Sequence, residues 1–303
     1  MRIGVFFPTK EHGSFDDMLR RIAGVASAGF HSAWLPQSAG FDALNLFAVA
    51  GREVEGIELG TSVIPTYPRH PISLAAQALT TNASTGGKLV LGIGLSHKMA
   101  IEGRYGMSYD RPARHMGEYL EILLPLLRGE TVDFAGETLT GRGDLTIEGA
   151  AAPPVLLAAL QPRMLELAGR LADGTVTWCT GPITLREQIV PVLRAAAGAA
   201  GRGRPRVVVP LPIIVTDDPT TGRTKADQQL EGYGRIPVYR AVLDREGVES
   251  PGDVSIVGDE ASVTDQLARL EEIGATDFVA IPAGDARDRS RTLEHLAAFV
   301  AGT

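Results

Sequence analysis

The sequence IELGTSVIPTYPRHPISLAAQALTTNASTGGKLVLGIGL, residues 57–95, contains one complete strand–helix–strand unit. Its first part, residues 57–65, is a short apolar run that ends among prolines, which predicts a strand. Residues 72–85 have the composition of a helix, and residues 88–95 form a second apolar run. Two strands joined by a helix predict a parallel pair within one sheet.

The same alternation continues along the chain and predicts eight strands, most of them followed by a helix. Eight such units in 303 residues favour an α/β fold of the TIM (β/α)8 barrel type over a doubly wound sheet. Residues 131–150 resemble a β-hairpin excursion outside the barrel. The predicted strands are residues 2–7, 32–36, 57–65, 88–95, 154–160, 175–180, 206–215 and 278–284.

A long segment separates the seventh and eighth predicted strands. Residues 216–252 are predicted to be an inserted helical region over the barrel mouth, and residues 258–274 a standard barrel helix with Ser262 as its N-cap. Because no charged or low-complexity linker interrupts the pattern, residues 1–303 are predicted to form a single domain.

The composition is that of an ordinary globular protein, with 44% hydrophobic and 21% charged residues. A net charge of -7 argues against nucleic acid as the main partner. The single cysteine, Cys179, excludes an intramolecular disulfide and suits a reducing compartment. No signal peptide and no apolar run long enough for a membrane span are evident, so we expect a cytoplasmic protein without membrane contact.

In a TIM barrel, the active site lies at the carboxyl ends of the strands, so chemistry is expected in the loops that follow them. The histidines are scattered without a metal-binding spacing, and no GxSxG motif marks a nucleophilic serine. Glycoside hydrolysis needs two opposed carboxylates at the strand ends, and only Glu11 and Glu102 lie near enough in the sequence. Arg163, in the first turn of a helix that Pro162 begins, indicates an anion site or a plain surface position.

Several stretches, taken in order, resemble the luciferase-like monooxygenase superfamily, and in particular its branch of actinobacterial oxidoreductases that use the deazaflavin coenzyme F-420. They span nearly the whole chain. The stretches are RIGVFFP, AGFHSAWLPQ, IELGTSVIPTYPRHPISLAAQALTTNASTGGKLVLGIGLSHK, EGRYGMSYDRPARHMGEYLEILLPLLRGETVDFAGE, PVLLAALQPRMLELAGRLADGTVTW and GDEASVTDQLARLEEIGATDFV.

The resemblance implies a cofactor site at the barrel mouth. The deazaflavin ring would lie against a bulge at the end of strand three that contains a cis peptide between Ser62 and Val63. The end of strand four would flank the ring, and the cofactor phosphate would meet the loop before the helix that Pro162 begins. The implied cofactor-binding residues are Gly60, Thr61, Ser62, Val63, Gly94, Ser96, Leu160, Gln161, Pro162, Arg163 and Met164.

The chain departs from its relatives at two places in this site. Gln37 and Ser38 stand where many F-420-dependent relatives carry an acidic residue and a histidine. His97 occupies the place of a glutamate in the sugar-phosphate dehydrogenases, which argues against a sugar-phosphate substrate. His97 is therefore the predicted catalytic residue, as a proton donor or base, and the alternative is a purely structural histidine.

The resemblance implies hydride transfer between C5 of F-420 and a small organic substrate, in a homodimer. Two alternatives stay open: an FMN-dependent monooxygenase, and a barrel that binds F-420 or flavin without catalysis. Trp34, Tyr67, Tyr105 and Trp178 are candidate aromatic walls, with core packing favoured for Trp34 and Trp178. Arg69 and His70 are expected to serve the loop and the start of the next helix.

Overall fold

A closed parallel barrel forms the centre of the chain, as the eight apolar runs predict. The computed structural model describes residues 1–8, 13–230 and 232–302. Its main sheet has ten strands, of which β4 continues β3 and β11 is an additional edge strand, so eight positions close the barrel. The strands are β1 (Arg2–Phe6), β2 (Ser32–Leu35), β3 (Glu58–Thr61), β4 (Ile64–Pro65), β5 (Leu89–Gly94), β6 (Val132–Ala135), β7 (Thr140–Gly143), β8 (Val155–Ala158), β9 (Gly174–Val176), β10 (Arg206–Val215), β11 (Ile256–Gly258) and β12 (Asp277–Pro282).

The order around the barrel is β1, β2, β3, β5, β8, β9, β10 and β12, and β12 pairs with β1 to close it. β6 and β7 form the separate antiparallel hairpin that the sequence predicts. Barrel strands are buried on both faces, which is why they appear in the sequence as continuous apolar runs. β9 ends at Val176, so the predicted sixth strand was too long by the residues up to Thr180.

Helices surround the barrel and bury their apolar faces against the outside of the sheet. A π-helical turn, Leu185–Ile189, links α7 to α8, and two 3-10 turns, Tyr233–Arg235 and Pro251–Val254, flank α10. No described helix is long and apolar enough to cross a membrane. The helices are α1 (Phe15–Ser27), α2 (Ala43–Glu53), α3 (Pro71–Ser84), α4 (Lys98–Tyr105), α5 (Pro112–Leu127), α6 (Pro162–Leu171), α7 (Pro182–Thr184), α8 (Val190–Ala199), α9 (Pro219–Gln229), α10 (Pro237–Glu246), α11 (Glu260–Ile273) and α12 (Ala286–Ala301).

The predicted insertion is present as α9, α10 and their turns, with Glu231 outside the described residues. It leaves the barrel after Val215 and returns at β11, a three-residue strand that the sequence reading missed. β11 pairs with the last residues of β10, and the amide of Thr216 donates to the carbonyl of Gly258 at 2.8 Å. Three residues give too short an apolar run to be recognised as a strand in the sequence.

The predicted N-cap of the following barrel helix is wrong. Asp259 caps α11, because its carboxylate accepts a hydrogen bond of 2.8 Å from the amide of Ser262. Ser262 therefore occupies the third helical position rather than the cap.

Charged side chains join three strands at the amino-terminal end of the barrel. The guanidinium of Arg206, at the start of β10, contacts the carboxylates of Glu58 at 2.9 Å and Asp277 at 2.6 Å. Asp277 is only 2% exposed, and both carboxylates stand at the first residues of their strands. This cluster holds together the end of the barrel opposite to the expected active site. Residues at that end of a TIM barrel contribute to stability rather than to catalysis.

Candidate active site at the barrel mouth

The third barrel strand carries a one-residue bulge. Gly60 pairs with Val90 and Ile64 pairs with Ile93, so three residues of this strand oppose two residues of β5. The peptide bond between Ser62 and Val63 is cis, as the resemblance implies. Inside the bulge, the Thr61 hydroxyl donates to the Gly92 carbonyl and accepts from the Gly92 amide, both at 2.8 Å.

Glycines allow the bulge to lie close to its neighbours. A Cβ atom on Gly92 would stand 1.9 Å from the carbonyl oxygen of Thr61, and one on Gly94 would stand 2.7 Å from Cγ2 of Val63. A Cβ on Gly60 would stand 2.4 Å from the indole of Trp34. Protein atoms therefore fill the space next to these glycines, two of which, Gly60 and Gly94, the resemblance assigns to the cofactor site. Their first role is to let the bulge and the strands pack.

An apolar floor lies at the mouth end of the barrel interior. Trp34 is fully buried in that interior, as expected for core packing, and its indole donates to the Ser32 hydroxyl at 2.8 Å. Three half-buried residues pack on this interior layer and form its open side: Val63, Ala158 and Trp178. These three residues are the apolar floor. The indole nitrogen of Trp178 is buried and has no hydrogen-bond partner among the described residues.

His97 stands at the exit of β5, immediately before α4. Its side chain does not cap that helix. Its Nε2 atom lies 3.4 Å from the hydroxyl of Tyr239, and the two rings meet edge to face with centroids 5.4 Å apart. Burial lowers the pKa of His97 below its ordinary value, which favours a neutral imidazole at neutral pH. The preceding residue, Ser96, has a left-handed backbone, and its carbonyl accepts from the Tyr109 hydroxyl at 3.2 Å.

Gln37, after β2, has a structural role. The side-chain oxygen of Gln37 accepts a 2.9 Å hydrogen bond from the amide of Ala43, the first residue of α2. The amide of Gln37 donates to the carbonyl of Val63 at 3.4 Å. Gln37 therefore ties the start of α2 to the bulge, at the place where the resemblance implies an acidic residue.

Aromatic residues line the side of the mouth between β4 and α5. Tyr67 stacks on His115 with ring centroids 4.0 Å apart, and Nε2 of His115 lies 3.2 Å from the hydroxyl of Thr66. Burial lowers the pKa of His115 to about 4. Tyr105 lies further out, at the exposed end of α4. His115 was not noticed in the sequence, because it is one of several polar residues in an amphipathic helix.

Arg69 and His70 hold the loop and the next helix, as expected. Arg69 forms an ion pair with Asp42, the N-cap of α2. Nδ1 of His70 accepts from the amide of Ile72 at the start of α3. Of the carboxylates considered for glycoside hydrolysis, Glu102 pairs with Lys98 on an exposed face of α4, and Glu11 lies outside the described residues.

The loop before α6 has the geometry of a helix start. Gln161 is the N-cap and Pro162 the first residue, and neither side chain caps the helix. The Leu160 carbonyl accepts from the Gln188 side chain, and Met164 is buried under the helix. Arg163 is exposed and reaches a shallow groove of about 700 Å³ between α5 and α6. An anion site at Arg163 therefore stays a prediction.

The structure thus brings the strand-three bulge and the end of strand four into direct contact, with His97 and Tyr239 beside them. That these residues bind a cofactor stays a prediction. Within residues 1–8, 13–230 and 232–302, no group of three or more His, Cys, Asp or Glu side chains could hold a metal ion. Tyr239 was missed because nothing in the sequence links α10 to a residue 142 positions earlier.

One family model matches most of this chain. Residues 1–277 match the family model described as luciferase-like monooxygenase. A putative coenzyme F-420-dependent oxidoreductase of Mycobacterium tuberculosis is 32% identical over 277 residues, which cover 86% of this chain and 78% of that protein.

Two solved structures share the fold. The coenzyme F-420-dependent tetrahydromethanopterin reductase of Methanopyrus kandleri has a TM-score of 0.77 at 20% identity, and the match covers 98% of this chain and 97% of that one. The oxygenating constituent of 3,6-diketocamphane monooxygenase of Pseudomonas putida, in complex with FMN, has a TM-score of 0.78 at 19% identity. That match covers 100% of this chain and 98% of the other.

Proposed function

We propose, from the premise that this chain belongs to the luciferase-like monooxygenase family, that it is a coenzyme F-420-dependent oxidoreductase. It would transfer a hydride between C5 of the deazaflavin and a small organic substrate. The similarity to a protein named as a putative F-420-dependent oxidoreductase, at 32% identity over most of the chain, supports the cofactor assignment.

The observation that carries the proposal is the half-open apolar floor beside the strand-three bulge. A flat heterocycle needs an apolar surface for its face and backbone polar groups at its edge. Val63, Ala158 and Trp178 would supply the surface. The backbone of the bulge at the Ser62–Val63 peptide, whose Ser62 carbonyl and Val63 amide have no hydrogen bond with a described residue, would supply the edge. These residues fit a deazaflavin ring, and Gly94 and Ser96 lie next to them along β5 and its exit.

The anionic tail of the cofactor is assigned to the start of α6. Pro162 has no amide proton, so the amide of Arg163 is the first one free at this helix end, where the helix dipole favours an anion. The Arg163 guanidinium has no ion pair or hydrogen bond with any described residue. Leu160, Gln161 and Met164 complete this phosphate-binding loop in the proposal.

His97 is the residue proposed to serve the substrate. A bound deazaflavin supplies hydride chemistry through C5 and does not readily activate oxygen. The protein must then orient the substrate and interact with the atom that gains or loses negative charge. His97 suits this task because its imidazole is neutral, half-buried and placed at the exit of β5.

FMN is the competing cofactor, because a barrel of the same fold binds it. At 19% identity that similarity shows the fold alone, whereas the relative named for F-420 is closer in sequence. The third possibility is a barrel that binds F-420 without turnover, and His97 is the feature that argues for a catalytic site.

The deciding experiment is a fluorescence titration of the purified chain with F-420 and, separately, with FMN. We expect saturable binding of F-420 and weak or no binding of FMN. Tight FMN binding without F-420 binding would overturn the proposal. Turnover is then followed by deazaflavin absorbance with a panel of enones, imines and alcohols, and bound F-420 that never changes redox state with this panel would favour the non-catalytic alternative.

A further inference from the structure

The described part of the inserted region contributes a polar atom to the immediate surroundings of His97. That atom is the hydroxyl of Tyr239, on α10, which lies 3.4 Å from Nε2 of His97. The edge-to-face contact of the two rings fixes their relative orientation as well as their distance. A helix outside the barrel body therefore completes the environment of the predicted catalytic residue.

The direction of this hydrogen bond follows from the burial of Tyr239, which is only 8% exposed. Its hydroxyl has no other hydrogen-bond partner among the described residues. If His97 were the donor, the phenol proton would be left buried without an acceptor, which is costly. Burial also raises the pKa of Tyr239 well above its usual value, so the phenol keeps its proton. Tyr239 therefore donates and Nε2 accepts.

An acceptor at Nε2 places the proton of a neutral imidazole on Nδ1. That atom forms no hydrogen bond with any described residue, and the ring does not cap α4 although His97 occupies the cap position. No described residue accepts a hydrogen bond from the Nδ1–H group, so this group is available to donate to a ligand.

Contacts with the barrel and within the insertion hold Tyr239 in position. Glu246, at the other end of α10, accepts hydrogen bonds from the amides of Ile183 at 3.1 Å and Thr184 at 2.6 Å. On the mouth side, Tyr239 packs against Cys179 and, edge to face, against Tyr233. Because α10 is tied to α7 in this way, the phenol is fixed relative to His97.

We infer that Tyr239 is a positioning residue, which holds His97 as the Nδ1–H tautomer so that Nδ1–H donates a hydrogen bond to an acceptor atom of the substrate. A carbonyl oxygen at the carbon that exchanges the hydride is the group that such a neutral donor fits. The inference about the substrate rests on the proposed function, whereas the tautomer is a property of the protein alone.

The test is the nitrogen NMR spectrum of His97 in the ligand-free protein with ¹⁵N-labelled histidine, at neutral pH. The His97 signals are assigned by their loss in His97→Gln. We expect Nδ1 in the protonated range and Nε2 in the unprotonated range. In Tyr239→Phe, which keeps the ring, the signals should move toward the Nε2–H form. Tyr233→Phe, which removes a neighbouring hydroxyl without a contact to His97, should leave them unchanged.

A wild-type spectrum with a protonated Nε2, or a Tyr239→Phe spectrum identical to wild type, would overturn the inference. The spectra are recorded without cofactor, so they identify the tautomer of His97 whether or not the protein binds F-420. In an active preparation, Tyr239→Phe should lower kcat about tenfold with a smaller change in KM, the loss expected for one hydrogen bond. A change in KM alone would mean that Tyr239 only shapes the pocket.

Discussion

The hydroxyl of Thr61 forms two hydrogen bonds of 2.8 Å with Gly92, donating to its carbonyl and accepting from its amide. The side chain of Thr61 thus replaces the backbone hydrogen bonds between strand three and β5 at the point where strand three bulges away. Buried polar groups need hydrogen-bond partners, and this one hydroxyl satisfies two of them. Substitution of Thr61 is therefore a sensitive test of the hydrogen bonding in the bulge.

Thr61→Val should reduce the free energy of unfolding by about 2–3 kcal/mol, because it leaves a buried amide and a buried carbonyl of Gly92 without partners. Urea unfolding measures this loss. Thr80→Val is the control, since the Thr80 hydroxyl is exposed and bonds to a helix carbonyl. Equal losses in the two variants would refute the structural role given to Thr61.

Gly94→Ala should weaken F-420 binding by at least tenfold while the chain stays folded. The new methyl group would stand 2.7 Å from Val63 Cγ2 and 3.0 Å from Ala158 Cβ, so two of the three floor residues must move. Gly103→Ala is the control, because a methyl group there meets no atom within 4 Å and the substitution favours the helix. Unchanged cofactor affinity in Gly94→Ala would place the ring elsewhere.

His97→Gln should lower kcat about a hundredfold and leave the dissociation constant of F-420 nearly unchanged, because His97 is assigned to the substrate. Steady-state kinetics and the fluorescence titration separate the two effects. His70→Asn is a suitable control, since asparagine can replace the exposed cap of α3. Full activity in His97→Gln would remove this histidine from the mechanism.

Glu118→Gln should destabilise the chain by about 2–3 kcal/mol at pH 7. Burial would raise the pKa of Glu118, but hydrogen bonds from Thr138, Glu137 and Leu139 outweigh it and hold the pKa at about 2. The stabilisation by the carboxylate is complete above its ordinary pKa near 4.5 and is lost as the pH falls toward 2.

The difference in unfolding free energy between wild type and Glu118→Gln should therefore shrink between pH 5 and pH 2, roughly the window that the two pKa values define. Glu121→Gln, on an exposed face of the same helix, should show little change at either pH. A difference for Glu118→Gln that stays constant with pH would contradict the low pKa.

Arg206→Met should cost about 1.5–3 kcal/mol, because the buried Asp277 loses its short contact with Arg206 and keeps only the 3.7 Å ionic contact with Arg2. Since Arg206 begins β10 at the end of the barrel away from the mouth, the affinity for F-420 should not change in the folded variant. Arg202→Met removes an exposed ion pair with Asp173 and should cost less than about 1 kcal/mol. A loss of cofactor affinity in folded Arg206→Met would show that the two barrel ends are coupled.

The barrel and its insertion were predictable because eight apolar runs and their intervening helices are long and regular. The bulge at Thr61–Val63 was placed by resemblance, since an apolar run does not show where its pairing slips by one residue. β11 was missed because three residues carry no periodicity. The roles of Gln37 and Tyr239 were also beyond the sequence, since each depends on a contact between segments that only the folded chain brings together.

The insertion leaves the barrel at Thr216 and returns at Gly258, two residues whose backbones are hydrogen-bonded to each other. The two ends of the inserted region are thus neighbours, and the paired strands β10 and β11 join them at its base. A different insertion joined at the same two residues would replace Tyr239, the partner of His97, while every barrel strand keeps its neighbours. Under the proposed function, such an exchange would change the substrate side of the mouth and the side of Trp178 that Tyr233 contacts.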